Sequence, residues 1–278
     1  MPELPEVETI KNSLEPHLVG RTFTGVKIDD TRPLQNLKAG EFRRRLIGKT
    51  VRSLKRRGKY MIFGLSGGED LIIHLRMTGA LLWNPQGEEP FARIEFSFDN
   101  GGRLLYTDVR RFGTMYLVND ASSIIGKLGI EPLGDRFTAV YLAGILNSHP
   151  TPVKSLLLDQ ERIAGIGNMY ADEALFHARL HPLRPGNSLD KAEITRLHRG
   201  IRFVLEKGIR NRGASIRNYR CPDGQTGTAH EEFAVAHREG QSCPRCGGKI
   251  ARIVVGQRGT YYCPNCQPLK NNSKRTTR

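Results

Sequence analysis

The sequence predicts an α+β protein with a β-rich first half, a helical second half and a small metal-binding C-terminal part. Three observations carry this. Between Thr22 and Val118, short apolar runs punctuated by glycine recur at the spacing of a sandwich or barrel. After about Gly134 the apolar residues recur at helical spacing instead. Near the end, Cys243-x-x-Cys246 and Cys263-x-x-Cys266 form two pairs separated by sixteen residues.

Taken in order, the first element is a helix over 5–18. Val7, Ile10, Leu14 and Leu18 share one face, Glu6 and Glu8 suit the positive first turn, and Gly20 can end it. Ile94, Phe96 and Phe98 alternate with Arg93, Glu95 and Ser97, the period of a half-buried strand. Tyr60–Phe63 and Leu71–Ile73 read as more deeply buried strands, and the terminal helix is the one helix expected in this half. Met169–Phe176 and 190–209 read as helices, the latter on the stripe Ile194, Leu197, Ile201, Val204 and Leu205. The polar loop Pro222–Thr228 follows, and a basic tail, 268–278, closes the chain.

The chain has 278 residues with 43 Lys+Arg against 28 Asp+Glu, a net charge of +15. That surplus points to a polyanionic partner, nucleic acid before a membrane surface. No apolar run approaches the ~20 residues that span a bilayer, and the start lacks an apolar signal segment, so the expected location is the cytoplasm. In that reducing compartment the paired cysteines read as metal ligands, and four thiolates around a β-hairpin suit one structural Zn²⁺ with no open coordination position. Reduced thiols or an iron–sulfur cluster are the alternatives. Cys221 stands outside the pattern and reads as a free surface thiol.

Chemistry concentrates at a few places. Removal of Met1 would leave Pro2 as a free secondary amine, about a tenth of it neutral at pH 7, beside a carboxylate on Glu3 that can move protons. Taken alone, Pro2 reads as a residue that merely stiffens the terminus, and only the rest of the chain favours the nucleophile. From Arg43 to Lys59 there are nine basic residues and no acid; a solvated strand face accounts for most, and Lys59, leading into a buried run, is the candidate held in place. Asn168 reads as the N-cap of the helix that follows Gly165-Ile166-Gly167, a ready phosphate site or an ordinary capped turn. Asp108-Val109-Arg110-Arg111-Phe112-Gly113 sets Phe112 beside Arg110, and Met77 lies in His74-Leu75-Arg76-Met77-Thr78-Gly79. An apolar wedge with an adjacent arginine fills the gap left by an extruded base, although either apolar residue could instead be core. Arg258, Thr260 and Tyr261 fall on the predicted zinc hairpin, where they could meet a phosphate backbone.

These pieces resemble the formamidopyrimidine-DNA glycosylase family in order and through nearly the whole chain: MPELPEVE at the start, RRGKY at 56–60, HLRMTG at 74–79, DVRRFG at 108–113, LLLDQERIAGIGNMYADEALF at 156–176, NRGASIRNY at 211–219 and GQRGTYYCPNCQ at 256–267. The resemblance implies an N-terminal β-sandwich domain with flanking helices (1–134), a helix–two-turn–helix DNA-binding domain with a lesion-recognition loop (135–237), a four-cysteine zinc finger (238–267) and the basic tail, with DNA in the cleft between domains. It implies a monomeric base-excision repair enzyme for oxidised purines in double-stranded DNA, acting through a Pro2 imine and β,δ-elimination. Glu3 would be the proton donor, Lys59 the proton donor for β-elimination, and Arg258 the phosphate contact and donor for δ-elimination. Met77, Arg110 and Phe112 would intercalate, Arg110 facing the orphaned cytosine, and His74, Lys154 and Asn168 would complete the DNA contacts. Two features depart from the family pattern: Cys221-Pro222-Asp223 in the lesion-recognition loop, and the basic extension after Gln267. The rival readings are an endonuclease VIII-like glycosylase for oxidised pyrimidines, whose MPEGPE start differs at Leu4, and a non-catalytic zinc-ribbon nucleic-acid-binding protein.

Overall fold

The computed structural model describes residues 1–216 and 219–269, so the tail from Lys270, and Arg217 and Asn218 of the predicted lesion-recognition loop, lie outside the described residues. The chain divides into two units. The first comprises 1–127 and 208–230, the second 128–207 and 231–278. The loop beginning at Gly213 therefore folds with the β-rich unit, whereas the sequence grouped it with the helices. The reason is a set of long-range ties that periodicity does not display: the Ala214 amide donates to Glu6, and the Trp83 amide to the Pro222 carbonyl.

In the first unit, helix α1 (Leu4–Leu18) precedes strand β1 (Phe23–Ile28), helix α2 (Ala39–Leu46) and strands β2 (Val51–Arg57), β3 (Tyr60–Leu65), β4 (Asp70–His74), β5 (Gly79–Trp83), β6 (Ala92–Phe98), β7 (Arg103–Asp108) and β8 (Thr114–Val118). The strands form two four-stranded antiparallel sheets, β1-β6-β7-β5 and β2-β3-β4-β8. Their inner faces share one core: Phe23, Phe96 and Tyr106 from the first sheet meet Leu54, Phe63 and Leu117 from the second. This is a β-sandwich. Ile94, Phe96 and Phe98 all point inward, as their alternation requires. Val7, Ile10, Leu14 and Leu18 of α1 join the same core, each worth about 1.5–3 kcal/mol of burial.

Helix α2 corrects the expectation of a single helix in this half. Its eight residues offer only Phe42 and Leu46 to the core, too few for a periodic signal, while Arg43, Arg44 and Arg45 crowd its last turn. Part of the basic run is thus helical, and part is paired. Arg45 and Lys49 both bind Glu69, and Arg56 binds Glu8 at 2.6 Å. Cys221 is a second correction. It is fully buried in the sandwich core, its sulfur 3.6 Å from the Tyr219 hydroxyl, and burial pushes the thiol pKa up.

A short helix, α3 (Ser122–Ile125), ends the β-rich stretch. The second unit contains α4 (Ala139–Asn147), α5 (Val153–Leu158), α6 (Asn168–Ala178), most of α7 (Lys191–Arg210) and the hairpin β9 (Ala251–Val255) and β10 (Arg258–Tyr262). Thr138 caps α4 by accepting from the Tyr141 amide. At α7, Asp190 accepts from the Glu193 amide and Glu193 from the Asp190 amide, a reciprocal capping box. Glu193 also pairs at 3.1 Å with Arg184, which donates further to Ser188. Both charged partners are buried. Among the described residues, no helix is long and apolar enough to cross a membrane.

Glu193→Ala removes half of a buried ion pair and one arm of the cap together, leaving the Arg184 guanidinium enclosed without its carboxylate. Chemical denaturation should show a loss of about 3 kcal/mol; a loss below about 1 kcal/mol, the scale of an exposed pair, would contradict this account of the helix start.

Candidate functional site

The chain end is built around a carboxylate that sequence reasoning passed over. Pro2 and Glu3 are buried, and Glu3 occupies the N-cap position of α1 in extended backbone. The Glu3 amide donates to Glu6 Oε2 at 2.8 Å, completing a reciprocal capping box with the Glu6 amide. The other oxygen of Glu6 accepts from the Ala214 amide, also at 2.8 Å. Glu6 thus fixes the peptide that follows Pro2 and, with the same side chain, the start of the loop after Gly213. The available signal was the Glu-x-x-Glu spacing at a helix start; the loop contact, 208 residues distant in sequence, left none.

Lys59 occupies the two-residue turn Gly58-Lys59 between β2 and β3, closed by the Arg57–Tyr60 pair. Gly58 has φ +57° there, suiting the first central position of a hairpin turn whose twist matches its strands. Lys59 is buried, as its place before a core strand suggests, and Arg56 ties the turn to α1 by donating to the Gly58 carbonyl while binding Glu8. His74 ends β4 opposite Tyr60 in the ladder, with ring centroids 4.5 Å apart. Its Nδ1 accepts from the Arg76 amide at 2.9 Å, so Nδ1 carries no proton. Burial first, then the charges of Arg76 and Lys59, drives its pKa down to about 3. His74 is therefore a neutral ring beside the Lys59 ammonium at working pH.

Met77, Arg110 and Phe112 are brought together at one exposed tip of the first unit. Met77 is 44% and Phe112 51% exposed, which removes both from the core. The Arg110 guanidinium lies 4.7 Å from the Phe112 ring centroid and donates to Met77 Sδ at 3.1 Å. Two large apolar side chains in water with a cation between them form a surface patch that packing does not explain.

In the second unit, Asn168 and Lys154 converge on the hairpin strand β10, which Arg258 begins. The Gly259 carbonyl accepts from Asn168 Nδ2 at 2.9 Å and from Lys154 Nζ at 3.3 Å. Arg258 itself is exposed at the β9–β10 turn. Two expectations change here. Gly167, not Asn168, is the N-cap of α6, so Asn168 is the first helical residue and uses its amide to hold the hairpin. Lys154, expected on DNA, is 0% exposed; its Nζ lies 2.7 Å from Asp172 and donates to Thr260 Oγ1 at 2.7 Å. It braces the hairpin from beneath. Asp172, also buried, is one turn along α6 and accepts from the Tyr261 amide as well. Glu173 beside it accepts from the amides of Ala234, Val235 and Ala236, fixing the segment that leads into the cysteine cluster.

The four cysteine sulfurs of Cys243, Cys246, Cys263 and Cys266 lie within 4.8 Å of one another. Cys243 and Cys266 sulfurs are 3.9 Å apart, and those of Cys246 and Cys263 are 3.5 Å apart. A tetrahedron with metal–sulfur bonds of ~2.3 Å has edges of ~3.8 Å, so the four thiolates fit one zinc ion and leave no position for a reactant. The hairpin expected between the two pairs is β9–β10.

The depressed pKa of His74 predicts a pH effect with a definite sign. The unfolded chain binds a proton near pH 6.5, whereas the folded chain resists until about pH 3. The contribution of His74 is therefore intact above pH 6.5 and falls as pH drops toward 3, by up to about 1.4 kcal/mol per unit. Urea unfolding of the parent and of His74→Gln at pH 7 and pH 5 should show the variant gaining relative stability at the lower pH. A constant difference would contradict a neutral, enclosed imidazole.

Comparison with known proteins agrees with this geometry. Residues 1–115 match the formamidopyrimidine-DNA glycosylase N-terminal domain, 128–220 its H2TH domain, and 240–269 a zinc finger found in FPG and IleRS. The chain is 45% identical to the formamidopyrimidine-DNA glycosylase of Chloroflexus aurantiacus, covering 96% of this chain and 98% of that protein. It is 44% identical to that of Pelotomaculum thermopropionicum, covering 97% and 100%. Among solved structures, the MutM (Fpg) protein of Thermus thermophilus superposes with a TM-score of 0.88 at 39% identity, covering 97% of this chain and all of that one. Lactococcus lactis Fpg in complex with DNA containing an abasic site gives 0.89 at 35% identity, covering 96% and 100%. With all three parts matched in order and relatives covered almost end to end, the chain belongs to the formamidopyrimidine-DNA glycosylase family and carries that family's structural zinc.

Proposed function

We infer that this protein is a base-excision repair enzyme, a DNA glycosylase with abasic-site lyase activity that removes oxidised purines such as 8-oxoguanine and formamidopyrimidines from duplex DNA. Solved relatives from Lactococcus lactis are complexes with Fapy-dG-containing and abasic-site-containing DNA. The observation that carries the reading in this chain is the clamped chain end: a proline at position 2, followed by a buried carboxylate whose own amide is held by Glu6. A rigid seat for a secondary amine beside an acid/base group is what imine chemistry at a sugar carbon needs.

In the proposed reaction, Met1 has been removed and the Pro2 nitrogen attacks C1′ of the damaged nucleotide. The N-glycosidic bond breaks, and the base departs with a proton. Glu3 supplies the acid to the sugar as its ring opens, leaving a Pro2–C1′ iminium. β-Elimination follows, the Glu3 carboxylate taking the C2′ proton as the 3′-phosphate leaves with Lys59 as proton donor. δ-Elimination then loses the C4′ proton to water as the 5′-phosphate leaves with Arg258 as proton donor, and hydrolysis of the imine frees Pro2. The neutral His74 keeps the neighbourhood of Lys59 free of a second titrating cation. Met77 and Phe112 fill the space left by the extruded nucleotide, and Arg110 faces the orphaned base. Asn168, at the N-terminus of α6, and Arg258, exposed on the hairpin, contact phosphates. The zinc site only shapes the hairpin. The net charge of +15 suits a polyanionic partner. The protein acts as a cytoplasmic monomer.

A duplex carrying one 8-oxoguanine opposite cytosine tests this directly. Purified protein should release the free base and cut the lesion strand to phosphate-ended fragments, and should act far more slowly on an otherwise identical duplex carrying thymine glycol. Preference for the oxidised pyrimidine would favour the endonuclease VIII-like reading, and binding without base release would leave only a nucleic-acid-binding module.

A further inference from the structure

The exposed tip that bears Met77, Arg110 and Phe112 is drawn from two separate loops. Met77 lies between β4 and β5; Arg110 and Phe112 lie between β7 and β8. Such loops, with apolar side chains facing water, have no packing of their own to fix their relative position. Beneath them lies a charged group to which the mechanism above assigns no role. Asp108, at the end of β7, is 0% exposed. Its Oδ1 accepts from the Thr78 hydroxyl of the first loop and from the Arg110 amide of the second, at 3.2 Å. Its Oδ2 accepts from the Gly113 amide at 2.9 Å and from the Tyr106 hydroxyl at 3.0 Å. The Arg110 amide also donates to Thr78 Oγ1 at 3.0 Å, so the two loops are joined directly as well as through the carboxylate.

We propose that Asp108 is a positioning residue for base extrusion: its buried carboxylate locks the Met77 loop to the Arg110–Phe112 loop, so that the wedge meets DNA as one preformed body. This rests on the wedge reading above and adds the group that makes the wedge rigid. Four donors saturate the carboxylate, and a buried charge held this way is costly to disturb because each lost hydrogen bond leaves an enclosed group unpaired. The turn around the carboxylate is tight. A Cβ on Gly113 would fall 1.8 Å from the Tyr106 hydroxyl, and Arg111, between the wedge residues, has φ +61°. Tyr106 keeps its proton, because burial and Asp108 both push its pKa up, and so it remains a donor. Forcing a side chain into stacked DNA works against the stacking energy, and a loose loop would yield where a braced one inserts.

The test compares two substrates, an 8-oxoguanine duplex, from which a base must be expelled, and a duplex with a preformed abasic site. Thr78→Val deletes the hydroxyl that joins the loops, and Thr78→Ser keeps it. Asp108→Asn keeps the size but turns one acceptor into a donor. For Asp108→Asn, single-turnover excision should fall by about 30-fold, and for Thr78→Val by about 5-fold, while abasic cleavage stays within about 2-fold of the parent. Thr78→Ser should restore the parental ratio. Met77→Ala and Phe112→Ala, run alongside, separate the two ideas. If they spare excision, the wedge reading itself is wrong and the proposal falls with it. If they impair excision while Thr78→Val and Asp108→Asn do not, the wedge stands and Asp108 is not its brace. Equal loss on both substrates by folded Asp108→Asn or Thr78→Val would likewise overturn the proposal, leaving Asp108 a stabilising residue only. Should Asp108→Asn fail to fold, the Thr78 pair decides alone.

Discussion

The order of the first unit's chain end depends on one buried carboxylate, that of Glu6. A chain end is ordinarily the least ordered part of a protein, because it loses conformational freedom for few contacts. Here the end is the first turn of a helix whose apolar face is sunk in the sandwich core, and Glu6 ties the preceding peptide down at Glu3. Its second oxygen holds Ala214, so two segments from opposite ends of the sequence share one anion. Each backbone donor to a buried charge is worth about 1.5–3 kcal/mol, ample to keep Pro2 and Glu3 in place. A terminus fixed in this way can serve as a reactive group rather than a frayed end.

The same device recurs wherever a functional group must be held. Asp108 braces the apolar tip, Glu173 gathers three consecutive amides ahead of the cysteine cluster, and Asp172 pairs Lys154 under the hairpin. In each case the group that does the holding is a buried acid. This explains how a chain with so large a positive surplus folds: several of its acids lie in or near the interior as organisers, leaving arginines and lysines at the surface to face a polyanion. The buried Lys154 shows the limit of reading by charge alone. A lysine in a basic protein looks like a phosphate contact until its partner is seen.

Much of this was legible in sequence because it is local. The α1 stripe, the 94–98 alternation and the two CxxC pairs each state their geometry within a few residues, and the zinc hairpin lies in the segment the spacing leaves for it. What failed to show was non-local. Cys221 read as a surface thiol because it stands outside the paired cysteines, yet it is buried by contacts with Tyr219 and the sandwich. Helix α2 carries too few apolar residues to register. Asn168 missed the cap by one position: Gly167 takes it, while the Asn168 amide finds its partner in Gly259, 91 residues on. Glu6 and Asp108 were passed over for the same reason: an acid near a helix start or beside arginines gives no sign that it will be buried.

The central claim is that the reactive amine is the one this carboxylate network holds at the chain end. Lys59, a second amine buried in the same unit, is its competitor. Incubation with 8-oxoguanine duplex and borohydride, followed by digestion and peptide mass mapping, identifies the nitrogen that carries the reduced sugar. The account predicts a single adduct on Pro2 of a chain lacking Met1. An adduct on Lys59, or no adduct from protein proven to begin at Pro2, would contradict it.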